Sequence, residues 1–215
     1  MLCIYCGRFS DALLCPHCTD ALNNQALALR HTDFCPCCGH PLQDSAYPCL
    51  FCLEGVQAYA SYTGIVSALL NQFKAGEQKR VAKILAPLYI PMLKTLEKPL
   101  LIPIPASRRG YSERGFDQVL LMCRILHSSE GYPVLRLFSQ KGEGQSKFLS
   151  RSERQSRHTL SLRPKDKQVA LYAEAGNTFV LVDDIRTTGT TLATCRELLT
   201  KRYGIDARSA VIAMV

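Results

Sequence analysis

The sequence predicts an α/β protein in which a mainly parallel sheet is flanked by helices, with a small cysteine-rich module at its N-terminus. Two observations lead to this fold class. Short apolar strands alternate with helical patterns after residue 55, and parallel sheets covered on both faces have this order. Nine of the eleven cysteines lie before residue 53. We therefore predict two domains, residues 1–55 and residues 56–215.

The N-terminal module contains four C-x-x-C pairs, and each pair brings two thiolates within reach of one tetrahedral ion. Four pairs predict a double zinc ribbon with two structural Zn²⁺ sites. The predicted ligands are Cys3, Cys6, Cys15, Cys18, Cys35, Cys38, Cys49 and Cys52. We favour sequential pairing, 3/6 with 15/18 and 35/38 with 49/52, while an interleaved arrangement stays open. Cys37, His17, His31 and His40 are interpreted as bystanders.

Composition and charge indicate the cellular compartment of the protein and the chemical class of its ligand. No run of eighteen apolar residues is present, and the first residues lack the order of a signal peptide, so we expect a cytoplasmic protein without a membrane span. The net charge of +8 is uneven, because residues 101–163 carry eleven Lys and Arg against five Asp and Glu. Such a block predicts a polyanionic ligand.

The central motif runs from Phe179 to Leu192. Four apolar residues of a strand are followed by Asp183 and Asp184, then by a loop of hydroxyls and glycine, Thr187–Thr191, and a helix start. Backbone N–H groups and the positive end of a helix favour a phosphate at such a loop. The two carboxylates are suited to accept hydrogen bonds from neighbouring sugar hydroxyls.

A second motif follows the buried strand Leu100–Pro105. Two adjacent arginines, Arg108 and Arg109, and then Arg114 before Gly115-Phe116, precede a helix. Guanidinium groups bind diphosphate in a bidentate manner and keep their charge. We predict a diphosphate-binding loop here.

A third basic segment begins at Lys141. Ser150 and Glu153 form a capping box, so a helix is predicted to start there. Its arginines recur every three residues and share one face. The predicted nucleic-acid contacts are Lys147, Arg151, Arg154 and Arg157.

The remaining patterns complete the predicted sheet and its helices. An edge strand is expected near Ala58–Tyr62, a helix from Gly64, and an irregular helical run from Val81. Strands are predicted at 134–138, 169–171 and 209–215, and a helix from Leu192 that ends before Gly204. Cys123 and Cys195 are predicted core residues. A ligand-facing role stays open for Lys74 and Lys79, while we favour solvated lysines at helix ends.

These motifs together resemble the ComF family, which combines a double zinc ribbon with a type I phosphoribosyltransferase domain. The central motif is similar to the phosphoribosyl-pyrophosphate (PRPP) motif, and Pro-x-Pro with Arg114-Gly115-Phe116 is similar to the family's pyrophosphate loop. Asp117 stands where the family usually has Asn. The resemblance places Asp183 and Asp184 at the ribose hydroxyls as candidate catalytic residues, with Mg²⁺ on the diphosphate. The implied PRPP-binding residues are Arg186, Thr187, Thr188, Gly189, Thr190, Thr191, Arg108, Arg109 and Arg114.

The resemblance also implies a role in competence for natural transformation, in DNA uptake and the cytoplasmic handling of single-stranded DNA, beside a helicase-like protein and a DNA-processing protein. Two other hypotheses stay open. One is a metabolic phosphoribosyltransferase that transfers phosphoribosyl from PRPP to a base-like acceptor. The other is a zinc-ribbon interaction module with a ligand-sensing domain. The sequence alone does not decide whether PRPP is turned over.

Overall fold

A computed structural model of the chain describes residues 1–26, 55–75, 78–140 and 160–215. The strands are β1 (Val56–Ser61), β2 (Pro99–Pro103), β3 (Phe138–Gln140), β4 (Leu160–Leu162), β5 (Thr178–Arg186) and β6 (Arg208–Met214). The helices are α1 (Pro16–Asn23), α2 (Gly64–Lys74), α3 (Ala82–Leu85), α4 (Ile90–Leu93), α5 (Arg108–Arg114), α6 (Gln118–Glu130), α7 (Asp166–Glu174) and α8 (Thr190–Tyr203). Two 3-10 turns, Lys79–Val81 and Ala86–Tyr89, flank α3.

The larger sheet is parallel throughout, in the order β1-β6-β5-β2, and this confirms the predicted α/β class. The predicted edge strand is β1, and the predicted final strand is β6. Parallel strands end at the same edge of a sheet, where ligands of such folds bind. At this edge Pro103 of β2 pairs with Val182 of β5.

Alternate residues of the sheet face two hydrophobic clusters. On one face, Val180 and Val182 pack with α2, with α6 and with the N-terminal segment. On the other face, Phe179 and Leu181 pack with α8 and with the two-stranded sheet formed by β3 and β4. Both faces are therefore covered, which explains why the strands are apolar runs.

Most helix predictions are confirmed. The helix expected from Gly64 is α2, and the helix that ends before Gly204 is α8, with that glycine in the left-handed region at φ 68°. Cys123 and Cys195 are buried core residues, as predicted. Pro87 lies in the second 3-10 turn, so the run from Val81 is irregular as expected.

The strand predicted at residues 169–171 is wrong, because these residues lie in α7. The apolar run is only three residues long, and Val169 is the buried residue of that helix. A strand covered on both faces would bury consecutive residues, whereas one buried position is what a surface helix needs. The strand predicted at 134–138 is reduced to a bridge at Val134, followed by the short β3.

Strand β5 is longer than predicted. The acids lie within it, because β6 continues to pair with it as far as Arg186, opposite Met214. On the other side, β2 ends at Pro103. Asp183 and Asp184 therefore extend beyond the end of the neighbouring strand, where their side chains can meet a ligand.

The predicted arginine loop contains a helix. The Ser107 hydroxyl accepts a hydrogen bond from the Gly110 N–H at 3.0 Å and caps α5, a strong helix-start signal. Gly115, in the left-handed region, ends the helix. Arg108, Arg109 and Arg114 thus have fixed directions relative to one another.

No helix among the described residues combines the length and the apolar character that crossing a membrane requires. The helix predicted from Ser150 lies outside the described residues.

Candidate functional site

A cavity of about 310 Å³ lies at the carboxyl ends of β2 and β5, and we call it the β5 cavity. Four of the predicted site residues line it together: Asp183, Asp184, Thr191 and Arg114. They come from β5, the first turn of α8, and the end of α5. The structure therefore brings the central motif and the arginine motif to one place.

The two acids at this cavity have different surroundings. Asp183 is half-buried, and its Oδ1 accepts a hydrogen bond from the Asp184 N–H at 2.9 Å. Burial, followed by the charge of Asp184, raises the pKa of Asp183 well above its ordinary value. The Tyr89 hydroxyl donates to the Asp183 carbonyl at 2.6 Å and fixes the backbone at this point.

Lys74 is a site residue that the sequence analysis interpreted as a solvated lysine. It ends α2 and lines the β5 cavity, and its Nζ lies 3.0 Å from Asp184 Oδ2. The helical spacing could have indicated this position, since Lys74 follows the buried residues Val66 and Leu70 at intervals of four and so lies on the same face of α2. The cavity thus contains two carboxylates and the two cations Lys74 and Arg114.

The loop from Thr187 to Thr191 turns from β5 into α8. Gly189 is the N-cap of α8 at φ 76°, and the Thr188 and Thr190 hydroxyls lie 2.9 Å apart. A Cβ atom at residue 189 would lie 2.9 Å from Arg186 Nε, so the guanidinium packs against this glycine. The loop therefore favours glycine for its backbone angle, and a side chain at this position would displace the Arg186 guanidinium.

The three predicted arginines of α5 have three different positions. Arg114 lines the β5 cavity, and its buried Nε has no hydrogen-bond partner among the described residues. Its guanidinium lies over Gly110, where any Cβ would overlap it. Arg109 is exposed, and its Nε donates to Glu113 Oε1 at 2.6 Å. Arg108 lines a second cavity.

This second cavity has a volume of about 850 Å³ and lies between α5, α6 and the β3–β4 sheet. We call it the arginine groove. Its cationic lining residues are Lys79, Arg108, Arg124, Arg136 and Arg163. Pro105, Ala106 and Gln140 line both cavities, so the two are neighbours. A hydrogen bond from Gln140 Nε2 to the Pro105 carbonyl, 3.3 Å long, ties their shared wall together.

The first two C-x-x-C pairs form one cluster. The Sγ atoms of Cys3, Cys6, Cys15 and Cys18 all lie within 4.8 Å of one another, and those of Cys6 and Cys15 are 3.6 Å apart. Four thiolates around a tetrahedral zinc ion are about 3.8 Å apart, as the Zn–S bond length requires. The cluster is suited to one metal ion, with the pairing 3/6 and 15/18 that the sequence analysis favoured.

Local structure explains how these thiols converge. Cys15 is the N-cap of α1 and Cys18 lies in its first turn, while Cys3 and Cys6 are in a turn closed by the Leu2–Phe9 bridge. Burial would raise the pKa of Cys3, but N–H groups, including that of Cys15 at 3.3 Å, lower it to about 6. Burial and the neighbouring thiols raise the pKa of Cys18. A metal ion would replace protons at these sulfurs.

The cysteine cluster is attached to the main body by polar contacts. Gln72 Nε2 donates to the Ile4 carbonyl at 3.3 Å, and the Tyr59 hydroxyl donates to the Leu22 carbonyl at 3.3 Å. The Val66 N–H donates to Gln25 Oε1 at 3.0 Å. Cys18 belongs to the same hydrophobic cluster as α2. The cysteine cluster and the parallel sheet thus share one packed core.

Two sets of predicted residues lie outside the described residues. The second set of zinc ligands comprises Cys35, Cys38, Cys49 and Cys52. The predicted nucleic-acid contacts comprise Lys147, Arg151, Arg154 and Arg157. Both predictions stand as made.

Comparison with known proteins finds curated relatives. The chain is 28% identical to DNA utilization protein YhgH of Escherichia coli (strain K12) over 183 residues, which cover 77% of each chain. It is 25% identical to competence protein ComFC of Streptococcus pneumoniae over 234 aligned positions, 97% of this chain and 98% of that protein. Competence protein ComFC of Bacillus subtilis is 31% identical over 93 residues, 43% of this chain and 35% of that protein. No family model matches the chain.

Proposed function

The chain belongs to the ComF family, and we propose that it acts in competence-related uptake and handling of single-stranded DNA, with a binding site for PRPP. The names of the relatives, competence protein and DNA utilization protein, support the DNA role. The cytoplasm is the compartment in which incoming strands meet such a protein. A helicase-like protein and a DNA-processing protein are the partners that the family resemblance implies.

The observation that carries the PRPP proposal is the lining of the β5 cavity. Asp183 and Asp184 supply carboxylates for the ribose hydroxyls, and Thr191, at the N-terminus of the 14-residue helix α8, suits the 5′-phosphate. Arg114 supplies a buried guanidinium nitrogen without a partner among the described residues, as a diphosphate ligand would require. Arg108 and Arg109 remain candidates for the same diphosphate.

Mg²⁺ is the metal that such a ligand would bring. This ion prefers substrate phosphates and one or two carboxylates to an all-protein cage, which suits a site with Asp183 and Asp184 beside a diphosphate. Bound there, it would neutralise charge on the diphosphate. Residues of the chain would hold the sugar and orient the phosphates. The Cys3, Cys6, Cys15 and Cys18 cluster would hold a structural Zn²⁺.

A metabolic phosphoribosyltransferase is the second candidate, and Lys74 favours it. A lysine and an arginine on the cavity wall would stabilise a departing diphosphate as its charge develops at the ribose C1 bond. This candidate predicts pyrophosphate release from PRPP with some base, abolished by Asp184→Asn. The absence of turnover across a panel of bases would exclude it and leave PRPP as a bound ligand.

The test of the main proposal is a calorimetric titration with PRPP and Mg²⁺, paired with a fluorescence titration using a single-stranded oligonucleotide. We expect saturable binding of both ligands, with DNA affinity that falls steeply as salt rises. If PRPP does not bind in the presence of Mg²⁺, the PRPP proposal fails. If the oligonucleotide does not bind at low salt, the DNA proposal fails.

A further inference from the structure

The arginine groove carries a large excess of positive charge, and of its cations Arg108 alone is also a candidate ligand of the PRPP diphosphate. Five cationic side chains line it, and they come from separate parts of the chain: Lys79 precedes α3, Arg108 is in α5, Arg124 is in α6, and Arg136 and Arg163 flank the β3–β4 sheet. The acid in the lining is Asp117. Convergence of cations from distant segments on one concave surface creates a focused positive potential.

No neighbour within the described part of the chain neutralises any of these five cations by an ion pair. Both carboxylate oxygens of Asp117 are engaged by backbone N–H groups, Oδ1 by Leu120 at 2.9 Å and Oδ2 by Ala106 at 3.2 Å. Asp117 therefore serves as the N-cap of α6 and shapes the groove wall, and the groove keeps its excess charge for a ligand.

Aromatic side chains lie among the cations. Tyr111 is 54% exposed at the groove wall, so its ring is accessible to a ligand. Lys79 Nζ lies over the Phe116 ring at 5.3 Å from its centre, so this cation is held in place within the groove. Cations that follow a backbone, with an exposed ring that can stack on a base, are typical of sites for single-stranded nucleic acid.

From this arrangement we infer that the arginine groove binds the phosphodiester backbone of single-stranded nucleic acid, with a base stacked on Tyr111. The inference rests on the proposed DNA role and gives it a location. The strand lies on the parallel-sheet domain, beside the β5 cavity and not inside it. Arg124, Arg136 and Arg163 line the groove and not the β5 cavity. DNA and PRPP should therefore bind together.

The first experiment neutralises the groove with the triple variant Arg124→Gln, Arg136→Gln, Arg163→Gln. The matched control, Lys94→Gln, Lys167→Gln, Lys201→Gln, removes the same charge from exposed positions elsewhere. We expect the groove variant to lose affinity for labelled oligothymidine about tenfold at low salt and the slope of log K against log salt to fall by about 2, since each phosphate contact contributes about 0.7. The control should bind like the unmodified chain.

A second experiment tests stacking. Tyr111→Ala should weaken oligothymidine binding about tenfold, whereas Tyr111→Phe should keep the affinity, because a base stacks on the aromatic ring and not on the hydroxyl. In both experiments the PRPP affinity should stay within about twofold of the unmodified chain.

Arg163 Nε also donates to the Phe138 carbonyl at 3.2 Å. The double variant Arg124→Gln, Arg136→Gln, at two exposed positions, therefore repeats the test with that hydrogen bond intact.

The outcomes separate this inference from the proposed function. If the unmodified chain binds oligothymidine and both groove variants bind it equally well, with an unchanged salt slope, the groove is not the binding site. The DNA role would then remain intact. Equal affinity for a DNA duplex would overturn the single-strand assignment. Displacement of the strand by polyglutamate, together with no effect of Tyr111→Ala, would overturn it as well. Mutual exclusion of PRPP and oligothymidine would also overturn it, since the strand would then occupy the β5 cavity.

Discussion

The β5 cavity and the arginine groove share a wall, yet their charges differ completely. In the cavity, Asp183 and Asp184 are matched by the cations Lys74 and Arg114, and one pair is already in contact at 3.0 Å. Among the described residues of the groove, five cations face one acid whose oxygens are engaged by the backbone. Two cavities, one with balanced charges and one with an excess of positive charge, thus lie on either side of Pro105.

This difference indicates how each site recognises its ligand. A balanced and half-buried set of charges gains little from bulk attraction, so the cavity must depend on the geometry of its hydrogen bonds. An unpaired cationic surface gains mainly from the release of counterions, so the groove should respond strongly to salt. Substitutions in one site should therefore leave ligand binding at the other unchanged.

The largest effect is expected for Asp184→Asn, which should weaken PRPP binding about 100-fold. Two charge-assisted hydrogen bonds to ribose hydroxyls contribute roughly 3 kcal/mol, and the amide supplies only part of this. Affinity for oligothymidine should stay within about twofold, as measured by fluorescence anisotropy. Asp206→Asn, at an exposed acid outside both sites, is the control. A parallel loss of both affinities would show that the two sites are not separate.

A smaller effect is expected at the glycines that flank α8. Gly189→Ala and Gly204→Ala both place a side chain at positive φ, 76° and 68°, and each should lower the free energy of unfolding by about 1–2 kcal/mol. Only residue 189 has Arg186 against it, whereas residue 204 faces open space. Gly189→Ala alone should also weaken PRPP binding, by about tenfold.

Calorimetry and thermal unfolding of the two variants check this prediction. If Gly204→Ala weakens PRPP binding as much as Gly189→Ala does, the effect is one of stability, and the loop has no specific role in the ligand site. If neither variant is destabilised, the positive φ angles are not needed for the fold.

Lys74→Gln should weaken PRPP binding about fivefold. The substitution removes the partner of Asp184 and a cation from the cavity wall, in a site where solvent still reaches about a third of the lysine side chain. Lys94→Gln, an exposed lysine elsewhere, is the control. Unchanged PRPP affinity in Lys74→Gln would return this residue to the solvated role that its sequence context suggested.

The sequence predicted the features that depend on contiguous residues. The four-cysteine cluster follows from the spacing of Cys3, Cys6, Cys15 and Cys18, because two turns of fixed geometry bring the thiols together. The central motif likewise placed Asp183 next to the start of a helix. Each of these depends on local backbone geometry, which short patterns encode well.

Features that depend on helix phase or on long-range packing could not be predicted. Neighbours on a helix differ in direction by about 100°, so Arg108 and Arg114 could only be assigned to different cavities once α5 was known to be a helix. Lys74 meets Asp184 across 110 positions of sequence, through the packing of α2 on the sheet. For residues 169–171, a three-residue apolar run was too short to distinguish a strand from α7.

The smallest effect, and the one that links stability to the cavity, concerns the pH dependence of Asp183. Burial and the charge of Asp184 raise the pKa of Asp183 in the folded chain above its ordinary value of 3.8. The folded state therefore holds this proton more tightly than the unfolded state. The resulting stabilisation is complete below the ordinary value and is lost as pH rises through the raised pKa.

Asp183→Asn removes this dependence, and its amide oxygen can still accept the Asp184 N–H. The variant should therefore be more stable than the unmodified chain by about 1 kcal/mol at alkaline pH, and this advantage should shrink as pH falls toward the ordinary value. Thermal unfolding of both chains across the pH range measures the difference. Its PRPP affinity should fall while its DNA affinity stays the same. A stability difference that is constant with pH would contradict the raised pKa. It would mean that Asp183 is ionised in the folded chain over the whole pH range measured, and that the cavity stabilises its charge as well as water does.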